Sequence, residues 1–194
     1  MYKVSLKSLA LGVAAALAFV GMTTGAQAQS DTVEVSATLR QAVTVTTQTD
    51  VSFGDVDVNL SGSGSLTLNP DGSFSTSGSD ITSAGTGSIT AGQIDITGAN
   101  GVSIDVSCSA ATVANASAET IAVPTNIANG TASSGTACGG VGATAITVSL
   151  TGGATSLHMG ATLALANMGS VTTTGAFSST NSGGAASTVQ AVYQ

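Results

Sequence analysis

The chain has almost no positive charge: Lys3, Lys7 and Arg40 are its only strong bases in 194 residues. Nucleic-acid binding needs Lys and Arg to displace the counterions condensed on phosphate, so nucleic acid is excluded as a partner. An anionic membrane surface is disfavoured for the same reason. There is no Trp, and past residue 28 only Tyr193, Phe53, Phe74 and Phe177 are aromatic apart from His158, so stacking platforms for sugar rings are scarce. One His and two Cys are too few for a tetrahedral zinc site. No Gly-x-Ser-x-Gly elbow occurs, and no Gly-rich stretch is followed by the Lys-Ser/Thr of a phosphate-cradling loop. His158 is the one side chain whose ordinary pKa suits general-base work, but between Leu157 and Met159 it reads as a strand residue. The ten carboxylates include pairs that a glycosidase would need, without the aromatic surround. The chain therefore reads as non-enzymatic, with no cofactor and no metal.

Long apolar runs are also missing. Leu9 to Val20 is the longest and is too short and Ala-rich to span a bilayer stably. It follows Lys3 and Lys7 and precedes Ala26-Gln27-Ala28, which places small residues at the −3 and −1 positions of a leader cleavage site. Residues 1–28 thus read as a signal peptide cleaved after Ala28. The protein is expected to be exported, to the periplasm, the cell surface or beyond, with no integral membrane segment in the mature chain. Residues 29–194 suit a single domain, which would bury roughly 70% of its unfolded surface. In an exported protein the pair Cys108 and Cys138 reads as a disulfide. Closing a loop of about 30 residues should add roughly 3–4 kcal/mol in the chain-entropy account.

What is abundant is β-branched and small residues in period-2 alternation. Val33, Val35, Ala37, Leu39, Val43, Val45, Val51 and Phe53 all fall on odd positions, with Gln41 interrupting once. A two-residue period puts them on one face of a single extended strand or of two successive strands; a strand over 32–47 is expected. Shorter alternations follow at Leu66/Leu68, Ile94/Ile96, Ile104/Val106/Cys108, Ile146/Val148/Leu150, Leu163/Leu165 and Val189/Ala191/Tyr193. Ile121/Val123 is cut off by Pro124, as at a strand end. Asn69-Pro70-Asp71-Gly72 is a turn, Gly98-Ala99-Asn100-Gly101 suggests a hairpin, and Gly152-Gly153 and Asn181 to Gly184 mark loops. No fixed repeat of the solenoid kind appears. The only helical candidate, a weak one, is Cys108 to Ala118. Eight to ten strands so spaced predict an all-β, antiparallel sandwich. Asp55, Asp57 and Asn59 have the spacing of the first calcium-loop ligands. Leu60 and Leu66 then occupy positions that need Gly and Glu, so these residues read as a solvated strand face.

Several of these segments, in this order, resemble a known family. Val51-Ser52-Phe53-Gly54-Asp55-Val56 resembles the "aliphatic-x-Phe-Gly-x-aliphatic" signature near the start of the domain-of-unknown-function 4402 family. Gly64 to Gly72 is similar to its next segment. Gln93 to Gly98 with Val102 to Val106 resembles another, with Ile94 in place of the usual aromatic. His158 to Leu163, Gly175 to Ser178 and Val189 to Tyr193 resemble the remaining ones. The resemblance implies an exported bacterial domain with an immunoglobulin-like sandwich, similar to pilus subunits of chaperone–usher systems and to spore-coat-U-like proteins. It implies no catalytic residues.

The expected role is a fimbria-like structural or adhesive subunit that assembles by β-strand addition. A sheet edge presents unpaired N–H and C=O groups, and an extended segment of a neighbour can complete the ladder. Val33, Val35, Ala37, Leu39, Val43 and Val45 are the expected donor side chains, like subunits and a periplasmic chaperone and usher the expected partners. The alternative is a self-complete monomer that binds a glycan or surface component through its loops.

Overall fold

A computed structural model describes residues 34–169 and 171–194; the expected signal peptide and Val33 lie outside them. The chain divides into two units, Met1–Thr38 and Leu39–Gln194. Of the first, the described residues 34–38 are exposed and carry no strand.

The second unit is built from sixteen strands among the described residues. In chain order they are β1 (Thr44–Thr49), β2 (Ser52–Phe53), β3 (Val56–Val58), β4 (Ser65–Leu68), β5 (Phe74–Ser77), β6 (Ile81–Ser83), β7 (Ile89–Thr90) and β8 (Gly92–Thr97). There follow β9 (Ser103–Cys108), β10 (Ala111–Ala114), β11 (Thr120–Val123), β12 (Thr125–Asn129), β13 (Thr136–Ala137), β14 (Thr144–Ser149), β15 (Ala154–Ala164) and β16 (Val189–Tyr193). One-turn 3-10 segments lie at Thr151–Gly153 and Leu165–Met168.

Every strand pairing is antiparallel. A seven-stranded sheet runs β1-β8-β15-β12-β13, with β4 and β5 joined through β15, and a three-stranded sheet runs β14-β9-β16. The pairs β2-β7, β3-β6 and β10-β11 form small sheets of their own. The inward side chains of the two larger sheets meet in a first core: Ile94, Ile96, Ile127, Leu157 and Met159 from one, Ile104, Val106, Val148 and Leu150 from the other. This is the expected all-β sandwich. A second core holds Leu66, Ile81, Ile121, Val123, Ala161, Leu163, Leu165 and Met168, with Phe53, Val56, Val58 and Phe177 against it. Period-2 alternation generates both, since Leu157, Met159, Ala161 and Leu163 all project from the same face of β15.

The disulfide joins Cys108 at the end of β9 to Cys138 just past β13, with the Cα atoms 4.9 Å apart. Those strands belong to different sheets, so the bond staples the sandwich across its layers.

Of the two arrangements expected for the odd-numbered alternation up to Phe53, the domain has two successive strands, β1 and β2, with a register shift between Thr47 and Thr49. Three details differ from the sequence reading. Strand β1 begins at Thr44, not at 32, opposite Thr97, the last residue of β8, with Gln48 left without a partner at the register shift. Gly98 to Gly101 is not a hairpin: it carries the chain from β8 in one sheet to β9 in the other. Cys108 to Ala118 is not helical; Ala111–Ala114 is β10, paired with β11. The turn at Asn69 to Gly72 stands as read, with Gly72 at φ 82° and its N–H bonded to the Asn69 carbonyl, 3.0 Å.

Candidate functional site

Two places in the domain gather unusual features: the junction of the N-terminal segment with β16, and a loop cluster around Glu119.

At the junction, residues 34–43 carry no strand. Val35 is 89% exposed and Leu39 95%, so the alternating apolar face of this segment is open to solvent. Ala37 is exposed as well. Val43 is half-buried against the first core. Val45 is paired with Ile96 in β1. Of the six expected donor side chains, Val43 packs inside the domain, Val45 is paired through its backbone in β1 with its side chain exposed, Val35, Ala37 and Leu39 are exposed, and Val33 lies outside the described residues.

The segment is held at its root by Tyr193. The Tyr193 hydroxyl donates to the Gln41 carbonyl, 2.6 Å, and accepts from the Ala99 N–H, 2.6 Å. The Arg40 guanidinium carbon lies 5.9 Å from the centre of the Tyr193 ring, within cation–π range. Gly98 makes room for this: a Cβ there would stand 2.6 Å from the Tyr193 hydroxyl and 2.8 Å from Leu150 Cδ1. The sequence showed Tyr193 only as a strand residue. Its being the one Tyr past residue 2 was the available signal.

Among the described residues β16 itself pairs with β9 and no other strand, so one side of it is a sheet edge. Val192 is 60% exposed there. The strand, Val-Gln-Ala-Val-Tyr, has no Lys, no Pro and no inward charge, the usual means of blunting an edge.

At the loop cluster, the turn between β10 and β11 is wound around Asn115, whose side-chain oxygen accepts from the backbone N–H groups of Ser117, 3.0 Å, and Glu119, 2.9 Å. The Glu119 carboxylate accepts from the Thr172 N–H, the Thr172 and Thr173 hydroxyls and the Asn115 amide. The Thr172 hydroxyl is the largest cause, followed by Thr173, that brings its pKa from the ordinary 4.5 down to about 2. Asn181 donates to the Ala114 carbonyl, 2.7 Å, and Ser178 and Ala185 bridge to β10, so the Gly/Ser/Asn-rich loop before β16 is laid along this hairpin. Between the loops is an open pocket of about 290 Å³ lined by residues that include Asn115, Ser117, Thr173, Thr174, Gly175 and Asn181. With Ala116 and Ala176 the lining is a mixture of amides, hydroxyls and small apolar groups, and none of its residues is charged. Glu119 was not singled out in the sequence, where it is one of ten carboxylates with no motif around it.

The remaining candidates are separate. His158 is a half-buried residue of β15, paired with Gln93 and Ala128; its Nδ1 and the Asn126 Oδ1 on the neighbouring strand are buried without a hydrogen-bond partner. Asp55, Asp57 and Asn59 are exposed along β3, where Asp55 accepts from the Thr86 hydroxyl, 2.7 Å, and Asn59 donates to Asp80, 3.2 Å. Among the described residues, no group of three or more His, Cys, Asp or Glu is placed to hold a metal ion, and no helix is long and apolar enough to cross a membrane.

The fold and these sites define an antiparallel β-sandwich domain with a disulfide between its sheets and an unblunted edge. The chain belongs to the family described as a domain of unknown function (DUF4402), whose signature matches residues 43–182. No curated protein and no solved structure matches the chain.

Proposed function

We propose that the protein is a non-enzymatic, exported surface subunit that assembles by β-strand addition, residues 33–39 of one copy pairing with the β16 edge of the next. The observation that carries this is the near-complete exposure of Val35 and Leu39 in an alternating segment without a strand of its own. Isolated exposed apolar residues are ordinary on a surface, whereas an alternating set in an extended segment fits strand addition, where the backbone supplies the ladder and alternate side chains the specificity. Val192 supplies an apolar cross-strand neighbour. Because β1 and the first core are complete within the domain, the added strand extends an edge and does not fill a gap in the core. A periplasmic chaperone and usher would shield that edge before assembly.

The test is size-exclusion chromatography with light scattering, and gels run with and without heating in SDS. Multimers that survive SDS and dissociate on heating are expected, and deletion of 29–39 should remove them while the domain stays folded. A monomer at all concentrations, or multimers unchanged by the deletion, overturns the reading.

A second reading is favoured by the uncharged hydrogen-bonding pocket beside Glu119: a self-complete monomer that binds a neutral, polyhydroxylated surface component through its loops. Glycan-array binding by a monomer, lost on Thr173→Val, would support it over strand addition.

A further inference from the structure

We propose that the Arg40–Gln41 peptide bond is a single built-in cleavage site for an arginine-directed endopeptidase, and that Tyr193 controls its opening. Three observations converge on this bond. Arg40 is the only Lys or Arg after residue 7, so the rest of the domain offers such an enzyme nothing to cut. The bond lies in an exposed stretch without strand structure, two residues into the unit that begins at Leu39, and segments of this kind are where proteases nick folded proteins. Both sides of the bond are tied to one side chain: the Arg40 guanidinium lies over the Tyr193 ring, and the Gln41 carbonyl accepts from the Tyr193 hydroxyl.

The tie and the cut compete for the same groups. A trypsin-like enzyme must take the arginine side chain into its specificity pocket and the Arg40 carbonyl oxygen into its oxyanion hole. The side chain is engaged while Arg40 lies over Tyr193, and the Gln41 carbonyl, one residue past the bond, is held by the Tyr193 hydroxyl, so the stretch is not free to settle into the enzyme's cleft. Release of the Tyr193 hydrogen bond frees the stretch. Water then adds across the amide: the C–N bond breaks, Arg40 keeps a new carboxylate, and Gln41 takes a proton as the new amino terminus. Among the described residues every strand, both cores and the disulfide lie on the Gln41 side of the cut. Resting on the strand-addition reading, the consequence is a domain that keeps its fold and loses its donor segment, so an external protease could detach subunits without destroying them.

The experiment digests the full-length protein with trypsin under native conditions and follows it by intact mass. Cuts at Lys3 and Lys7 leave the fragment of interest unchanged. A single stable product beginning at Gln41 is expected. Tyr193→Phe keeps the ring and removes the hydroxyl; it should speed this cut roughly fivefold, because cleavage follows the population of the opened state and, of the two hydrogen bonds lost, the one to Gln41 holds this stretch. An unchanged melting temperature outside a few degrees' loss confirms that the variant is folded. Native protein that resists while a denatured control is cut, or Tyr193→Phe cut at the wild-type rate, overturns the proposal. Cleavage at Arg40 with SDS-resistant multimers persisting supports the site and overturns strand addition instead.

Discussion

The two cores of the domain are built by different means. The first lies between strands of five and six residues, β8, β9, β12, β14 and β16, and the front half of β15. Its inward positions are Ile, Val and Leu with little exposure, and a disulfide closes one side. The second is assembled from the back half of β15, strands of two to four residues, a 3-10 turn and single side chains from loops, and Leu163, Leu165 and Val171 lie at its rim, buried but slightly less completely than the first core. Long ladders hold the first; hydrogen bonds from loop side chains supplement the second, with Glu119, Asn115 and Asp80 each tying loop backbone in place. Two carboxylates, Glu119 and Asp80, thus fasten loops where strand pairing is thinnest.

Leu157 and Leu163 allow a direct contrast, since both lie on one face of β15 but in different cores. Leu157→Ala should cost about 4–5 kcal/mol and Leu163→Ala about 2–3 kcal/mol, because the rim of the second core can relax around the lost side chain. Chemical denaturation of both variants checks the order, and equal costs would erase the distinction between the cores. Reduction of the disulfide should remove roughly 3–4 kcal/mol and speed amide exchange first in β9 and β13, the strands it joins.

Acid should act on the second region. Glu119 titrates near 2 in the fold against 4.5 ordinarily, so the unfolded chain binds its proton first as pH falls. Its contribution is therefore whole above about 4.5 and is lost as pH drops toward about 2. The difference in melting temperature between wild type and Glu119→Gln should shrink across that window and vanish below it; a constant difference would show that the carboxylate's hydrogen bonds are not what the variant removes. The smallest effect on stability is expected outside both cores. Val192→Lys should change it by less than about 0.5 kcal/mol while abolishing multimers, since a lysine blunts an edge strand.

The same contrast explains what could be read from the sequence. Ile94/Ile96, Ile104/Val106/Cys108, Ile146/Val148/Leu150 and Val189/Ala191/Tyr193 each fill a strand long enough to show its period, and each is a strand of the first core or its edge. β2, β3, β6 and β7 hold two or three residues, about one period of alternation, which is no signal above background. The cysteine pair was legible because two cysteines with a single histidine leave few uses other than a disulfide. Partner choice was not legible. Gly98 to Gly101 has hairpin composition, yet it links two sheets, and only packing of Leu150 and Tyr193 against Gly98 decides that. The strand expected from 32 begins twelve residues later, at Thr44, for a related reason: alternation says which side chains share a face and nothing about how much partner strand exists to pair with. Tyr193 and Glu119 act through contacts with residues 152 and 53 positions away, a distance no local pattern spans.

β15 runs through both halves. Its eleven residues contribute Leu157 and Met159 to one core and Ala161 and Leu163 to the other, and it pairs with β4, β8 and β12 along the way. Neither half can melt without pulling a continuous backbone out of the other, so the weaker region borrows the persistence of the stronger. Calorimetry should accordingly find one heat-absorption peak whose enthalpy equals that inferred from the sharpness of the transition, as for a single cooperative unit.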